Sequence, residues 1–201
     1  MGSYTFSKNI MRRFFLNPGD PAPSKMLAPY DVRHRITFAS TWELPFGAGQ
    51  PWGWKSGSLS RLIGGWQMNA IWTWQSGFLA WLTGAVEATG ASPEISSSQR
   101  TWQHWIDTAS YRIKPTWALR TASYTDAHVR GGPINNWDLS LLKTISMRER
   151  AKLQLRWEMF NAFNLVEFGA PDMNPGSTTF GCACGTSQPA RTMQLGLKLS
   201  F

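Results

Sequence analysis

This chain has little of what marks a catalyst, a metal centre or a helical membrane protein. Its 201 residues include two cysteines and three histidines. Cys182 and Cys184 stand in "FGCACGT". That spacing is tight for an ordinary disulfide, and no second pair completes a zinc site. The two read best as small residues of a variable loop, with a strained redox pair as the alternative. His34, His104 and His128 lack H-E-x-x-H spacing. No serine sits in a G-x-S-x-G elbow. No glycine-rich stretch opens a helix as a phosphate loop does. These absences argue against an enzyme, and against a bound cofactor or metal.

Charge is also scarce. Only 16% of residues are charged, where about a quarter is usual. The net charge is nevertheless +8. No dense Lys/Arg block carries it, and Arg12 and Arg13 are the nearest to a cluster. Nucleic acid is therefore not an expected partner. No apolar run reaches the roughly 18 residues of a transmembrane helix. "MGSYTFSKNIMRRFF" lacks the pattern of a signal peptide. A β-barrel strand carries only a period-2 signal and escapes both tests.

What is abundant is tryptophan, with 12, besides 18 glycines and 12 prolines. The tail "ARTMQLGLKLSF" alternates strictly: Met193, Leu195, Leu197, Leu199 and Phe201 against Gln194, Gly196, Lys198 and Ser200. In "AKLQLRWEMFNAFN", Leu153, Leu155, Trp157 and Met159 oppose Lys152, Gln154, Arg156 and Glu158. A helix would need apolar residues three and four apart. "NWDLSLLKTI" sets Trp137, Leu139 and Leu141 against Asp138 and Ser140, with Lys143 breaking the apolar side. "GGWQMNAIWTWQSG" aligns Trp66, Met68, Ala70, Trp72 and Trp74, leaving Ile71 among the polar residues. "RHRITFASTWELP" sets Ile36, Phe38, Trp42 and Leu44 against Arg35, Thr37, Thr41 and Glu43. "GSYTFSK" is a shorter strand. The pattern thus predicts an all-β chain of about six antiparallel meander strands.

The connections alternate in length. "SMRER" is tight, whereas the stretches before the second, fourth and sixth strands run to dozens of residues. "PFGAGQPWGWKSGSLSR" is intermediate. Short turns at one end and long loops at the other describe an outer-membrane barrel, with the long loops extracellular. Trp66 and Trp74 share a face eight residues apart, roughly 26 Å along a strand and about 20 Å of depth once tilted. That is near the separation of two interfacial aromatic belts. A soluble β-sandwich would alternate too, but favours Val, Ile and Thr and turns every 8–12 residues.

"YTFSK", "DVRHRITFASTWELPFGAG", "LIGGWQMNAIWTWQSG", "INNWDLSLLKTISMRERAKLQLRWEMFNAFN" and "QLGLKLSF" resemble, in order and spacing, the C-terminal end of TonB-dependent receptors of the Oar-like group. The loop from about Leu79 to Thr125 matches least. The resemblance implies part of a 22-stranded transmembrane barrel with a plugged lumen. Residues 1–201 would then be its last strands, without plug, TonB box or N-terminal strands. It implies energy-coupled uptake of a large nutrient across the bacterial outer membrane, by a chain not functional alone.

Under this register Trp42, Trp66, Trp72, Trp74, Trp137, Trp157 and Phe201 anchor the membrane face. Arg35, Glu43, Asp138, Lys152, Arg156, Glu158 and Lys198 face the lumen. Expected partners are outer-membrane lipid and lipopolysaccharide, the rest of the barrel and the plug, TonB through the N-terminal part, and the barrel-assembly machinery through the last strand. Arg12, Arg13, Arg100 and Arg130 are the loop cations expected to meet lipopolysaccharide. The competing function is a secreted Trp-rich β module that binds carbohydrate.

Overall fold

Each alternating stretch folds as a strand, because only an extended backbone turns successive side chains to opposite faces. The computed structural model describes residues 1–47, 51–52, 63–147 and 151–201. In chain order the strands are β1 (Gly2–Phe6), β2 (Ile10–Arg12), β3 (Lys25–Leu27), β4 (His34–Glu43), β5 (Trp66–Gln75), β6 (Leu79–Trp81) and β7 (Val86–Ala88), followed by β8 (Tyr111–Ile113), β9 (Thr125–Arg130), β10 (Ile134–Ser146), β11 (Lys152–Phe160) and β12 (Thr192–Ser200). A 3₁₀ turn, Thr108–Ser110, precedes β8.

Six strands pair antiparallel in the order β1-β4-β5-β10-β11-β12, an up-and-down meander open at β1 and β12. Strands β4 and β5 have 10 residues each, β10 has 13, and β11 and β12 have nine. Ten tilted residues rise about 25 Å, which matches an apolar membrane band.

All three long connections leave the same end of the sheet. They are residues 7–33, 76–133 and 161–191. Both shorter connections lie at the other end. Leu44 N–H donates to Trp66 O at 2.9 Å and Met147 N–H to Ala151 O at 2.9 Å, closing those two hairpins. Most of the "PFGAGQPWGWKSGSLSR" stretch and the middle of "SMRER" lie outside the described residues. Two glycines admit close backbone approach at the sheet ends. A Cβ on Gly65, whose φ is +70°, would sit 2.5 Å from Thr144 O, and one on Gly77 would sit 2.0 Å from Gly131 O.

The long connections are not the structureless loops that their length and proline content suggest. They carry three small two-stranded sheets, β2–β3, β6–β9 and β7–β8, and the last two share a core. Ala80, Leu82, Val86, Ile106, Tyr111, Ala122, Val129 and Met173 are buried together, with Trp105 and Phe180 against them. Burying each larger apolar side chain contributes about 1.5–3 kcal/mol, which offsets the entropy of ordering so much loop. The result is a cap over one end of the sheet. It also overturns the reading of the cysteines. The backbone reverses after Gly181 (φ +82°), and Cys182 and Cys184 form a disulfide with Cα atoms 5.2 Å apart. That separation is ordinary for bonded cysteines.

Candidate functional site

The candidate functional surfaces are the two faces of the meander and the cap above it. Register decides which side chains share a face. Trp72 stands opposite Phe38 on one side and Trp137 on the other. Trp74 stands opposite Ile36 and Asn135. Six positions further down β5, Met68 joins Trp42 to Leu141, which faces Trp157 and then Leu195. Trp66 begins β5 at the end away from the cap. The six tryptophans singled out by the sequence therefore lie on one face, in rows near its two ends. Phe201 follows β12 directly and is exposed.

The row nearer the cap is tightly organised. Trp72 and Trp137 stack at 5.7 Å between centroids, and Phe163 meets Trp137 edge-on at 5.8 Å. Trp72 Nε1–H donates to Asn135 Oδ1 at 2.7 Å, satisfying its one polar group. At the other end Lys143, the cation on the apolar face, is buried. Its Nζ donates to Gly64 O and lies 5.4 Å over the Trp66 ring. A lysine on this face is tolerated there because its long stem reaches backbone oxygen at the rim.

The opposite face collects Arg35, Glu43, Asp138, Lys152, Arg156, Glu158 and Lys198. They alternate with amides and hydroxyls that bond within and across strands. Gln67 Nε2–H donates to Asn69 Oδ1 at 3.0 Å, and Asn69 Nδ2–H to Ser140 Oγ at 3.0 Å. Glu158 accepts from Gln194 and pairs with Arg156 at 3.7 Å. Asp138 Oδ1 accepts from Asn136 Nδ2–H at 2.9 Å and from Asn161 N–H at 3.1 Å. Ile71 lies exposed among these polar groups.

Asp138 thereby ties the sheet to the "NAFN" turn that leaves β11. Asn161 and Asn164 both adopt left-handed φ, 49° and 52°, a region where asparagine is the most tolerant residue after glycine. Buried Asn161 accepts from Leu165 N–H at 2.9 Å and donates to the carbonyls of Leu165 and Pro189 at 3.0 and 3.1 Å. Asn164 Oδ1 accepts Arg191 N–H at 3.0 Å, where the chain returns to β12. The motif is an amide clamp between two strands.

The cap is joined by two arginines, of which the sequence did not distinguish the buried Arg120. Arg120 donates to the carbonyls of Ala122, Leu82 and Gly84 at 2.8, 2.9 and 2.5 Å, and lies 4.1 Å from the Tyr124 ring centroid. Its backbone exchanges hydrogen bonds with the Asn17 side chain, linking two loops. Burial lowers its pKa. Arg130, expected at the surface facing lipopolysaccharide, is instead an internal strut. It bonds Asp31 Oδ2 at 2.6 Å, Asp31 O at 2.9 Å and Gly77 O at 3.1 Å. A loop cation beside a buried carboxylate gains more from that partner than from water. Burial opposes ionisation of Asp31. The Arg130 hydrogen bond, the Asn9 N–H and the Arg130 and Arg33 charges outweigh it and hold the carboxyl below its usual range. Of the other loop cations, Arg12 and Arg13 are exposed, and Arg100 lies 5.4 Å from the Trp105 ring centroid.

Glu167 was not foreseen either. It is buried beside β10 where β11 no longer pairs, and one carboxylate oxygen accepts Asn135 N–H. The other has no hydrogen-bond partner. Burial raises its pKa, against the lowering effect of that N–H. Among the described residues, no three His, Cys, Asp or Glu side chains are grouped to hold a metal ion.

A family model described as an outer membrane beta barrel domain matches residues 1–194. No curated protein and no solved structure matches the chain.

Proposed function

The chain belongs to the outer membrane β-barrel domain family and hence to the bacterial outer membrane, and from that premise we propose that it forms the C-terminal wall of a TonB-dependent receptor. In this reading the Trp- and Leu-bearing face meets lipid and the charged face lines the lumen. The cap stands outside the cell. The substrate is a nutrient too large for a porin, and the chain acts by binding and passage rather than by catalysis.

One observation carries the reading. A single register sends every expected lumen charge to one face and every anchoring tryptophan to the other, with all three long loops at one end. A membrane wall needs this arrangement, since a charge on the lipid side costs about 2–4 kcal/mol at mid-depth. Arg12 and Arg13 on the cap would then lie near lipopolysaccharide phosphates. The exposed β12 edge would be the strand met by the barrel-assembly machinery and by the rest of the barrel. A plug would find partners in Lys152, Arg156 and Lys198.

Two experiments separate the halves of this proposal. Cysteines placed in turn at positions 194–199 of the protein in outer membranes are treated with a membrane-impermeant maleimide. Labelling at 194, 196 and 198 but not at 195, 197 and 199 is expected, and the reverse would overturn the face orientation. For the uptake half, the barrel is purified from outer membranes through a tag in the cap and mixed with the periplasmic domain of TonB. Absence of binding would overturn energy coupling while leaving the wall intact.

A further inference from the structure

The cysteine pair in the cap holds together nothing that other bonds do not already hold. We propose that Cys182–Cys184 is a thiol-exchange site, attacked at the Cys184 sulfur by low-molecular-weight thiols. Its sequence separation is two, so the bond encloses only Ala183. The chain entropy removed by a cross-link grows with the length of the loop it closes, and here that length is minimal. The backbone is fixed independently on both sides. Gly181 O accepts Trp105 N–H at 2.9 Å, Cys182 O accepts Asp172 N–H at 2.9 Å, and Cys182 N–H donates to Thr179 O at 2.9 Å. Ala183 N–H donates to Trp102 O at 2.7 Å, and Gly185 O accepts Gly169 N–H at 2.8 Å. These bonds persist whether or not the sulfurs are joined.

Access is one-sided. Cys182 is 7% exposed and Ala183 is fully buried, whereas Cys184 lies at the surface. Beside it, a Cβ on Gly185 would meet nothing within 4 Å. A thiolate therefore reaches Cys184 Sγ, with Cys182 Sγ as the leaving group. Exposed disulfides with little structural duty are the ones that exchange. The incoming sulfur bonds to Cys184 Sγ. The Cys182–Cys184 bond breaks, and its electron pair departs on Cys182, which takes a proton from water. Cys182 then either expels the thiol and restores the ring, or waits while a second thiolate attacks the mixed disulfide. The second course releases the thiol's own disulfide and leaves two protein thiols. Two small thiols are oxidised and the protein disulfide is reduced, two electrons in each direction.

The test treats the folded chain in detergent micelles with reduced glutathione, quenches with acid, and maps adducts by peptide mass spectrometry. Limited proteolysis of the cap runs in parallel. The proposal expects glutathione on Cys184 and none on Cys182, with the cap's protease resistance unchanged. With oxidised glutathione in place of reduced, the free Cys184 of Cys182→Ser should exchange into a lasting adduct, releasing one glutathione thiol, because no resolving thiol remains, and Cys184→Ser should give no adduct. Several results would overturn it: free thiols before treatment, an adduct only after denaturation, an adduct on Cys182, or loss of protease resistance on reduction or in either variant. The last would make the bond structural.

Discussion

Arginine placed at three positions of the meander measures both which face meets lipid and how deep each row lies. Trp66 and Trp74 define the ends of the apolar face on β5, and Ala70 stands midway between them. Its neighbours across the sheet are Ser40, Leu139, then Met159 and Met193. At about 3.3 Å per residue and a tilt near 40°, this row lies roughly 10 Å from either belt. Leu139→Arg should then cost about 2–4 kcal/mol, the midplane value, equivalent to a loss of roughly 30- to 800-fold in the folding equilibrium. Leu155→Arg uses the same face but sits in the row of Trp66 and Lys143. There the cost should fall to about 0–1 kcal/mol. Ser140→Arg is at the depth of Leu139 on the opposite face. It forfeits only the bond from Asn69 Nδ2–H, worth about 1 kcal/mol. The assay is urea titration of each variant folded into phospholipid vesicles, read by Trp fluorescence and by the gel shift of unheated samples. Equal costs for Leu139→Arg and Leu155→Arg would refute the depth argument, since a water-soluble core punishes both alike. A larger cost for Ser140→Arg than for Leu139→Arg would refute the face orientation itself.

Three further outcomes follow from the cap and its clamps. The folded pKa of Asp31 is depressed below 3.8, so its contribution to stability is complete above the unfolded value and disappears as pH falls through the folded one. Proteolysis of the loop at residues 7–33 should therefore accelerate below about pH 3.8, and Asp31→Asn should abolish that dependence while raising the rate at neutral pH. Arg120→Met strands buried carbonyls of Leu82, Gly84 and Ala122 and should destabilise the cap by roughly 3 kcal/mol or more; protease nicking of residues 114–124 reports it, and normal resistance would refute the role as a staple. Asn161→Ala loses three hydrogen bonds and places a Cβ residue at φ 49°, so chemical denaturation should show a larger loss than Asn161→Gly, which keeps the angle free at about 1–2 kcal/mol less strain.

The meander was legible because its signal is local. Every spanning strand carries its own period of two, and a slip of one residue would exchange the faces wholesale. Trp72, Trp137 and Leu141 could thus each be assigned to the apolar side of its strand without coordinates, as Lys198 and Arg156 could to the polar side. Ile71 and Lys143, which break the pattern, were visible as exceptions, and the structure explains only the second.

The cap gave no such signal. Strands β2, β3, β6, β7 and β8 have three residues each, too few to display a period. The bonds that hold them join residues far apart in the chain, Asn17 with Arg120 and Asp31 with Arg130. In sequence Arg120 and Arg130 look like any other loop cations. The "NAFN" turn stood in sequence only as the end of an alternating stretch, and its chemistry emerges only when Asn161 and Asn164 turn left-handed and grasp the strand that returns.

Alternation alone therefore determined six strands, their two faces and the end from which the long loops depart, because periodicity is a property of neighbours along the chain. The tertiary structure alone decided that those loops pack into a cap, that Arg130 is a strut rather than a surface cation, and that Cys182 bonds Cys184. Such contacts depend on backbone reversals and distant partners, and their energy appears only once water has been excluded from between them.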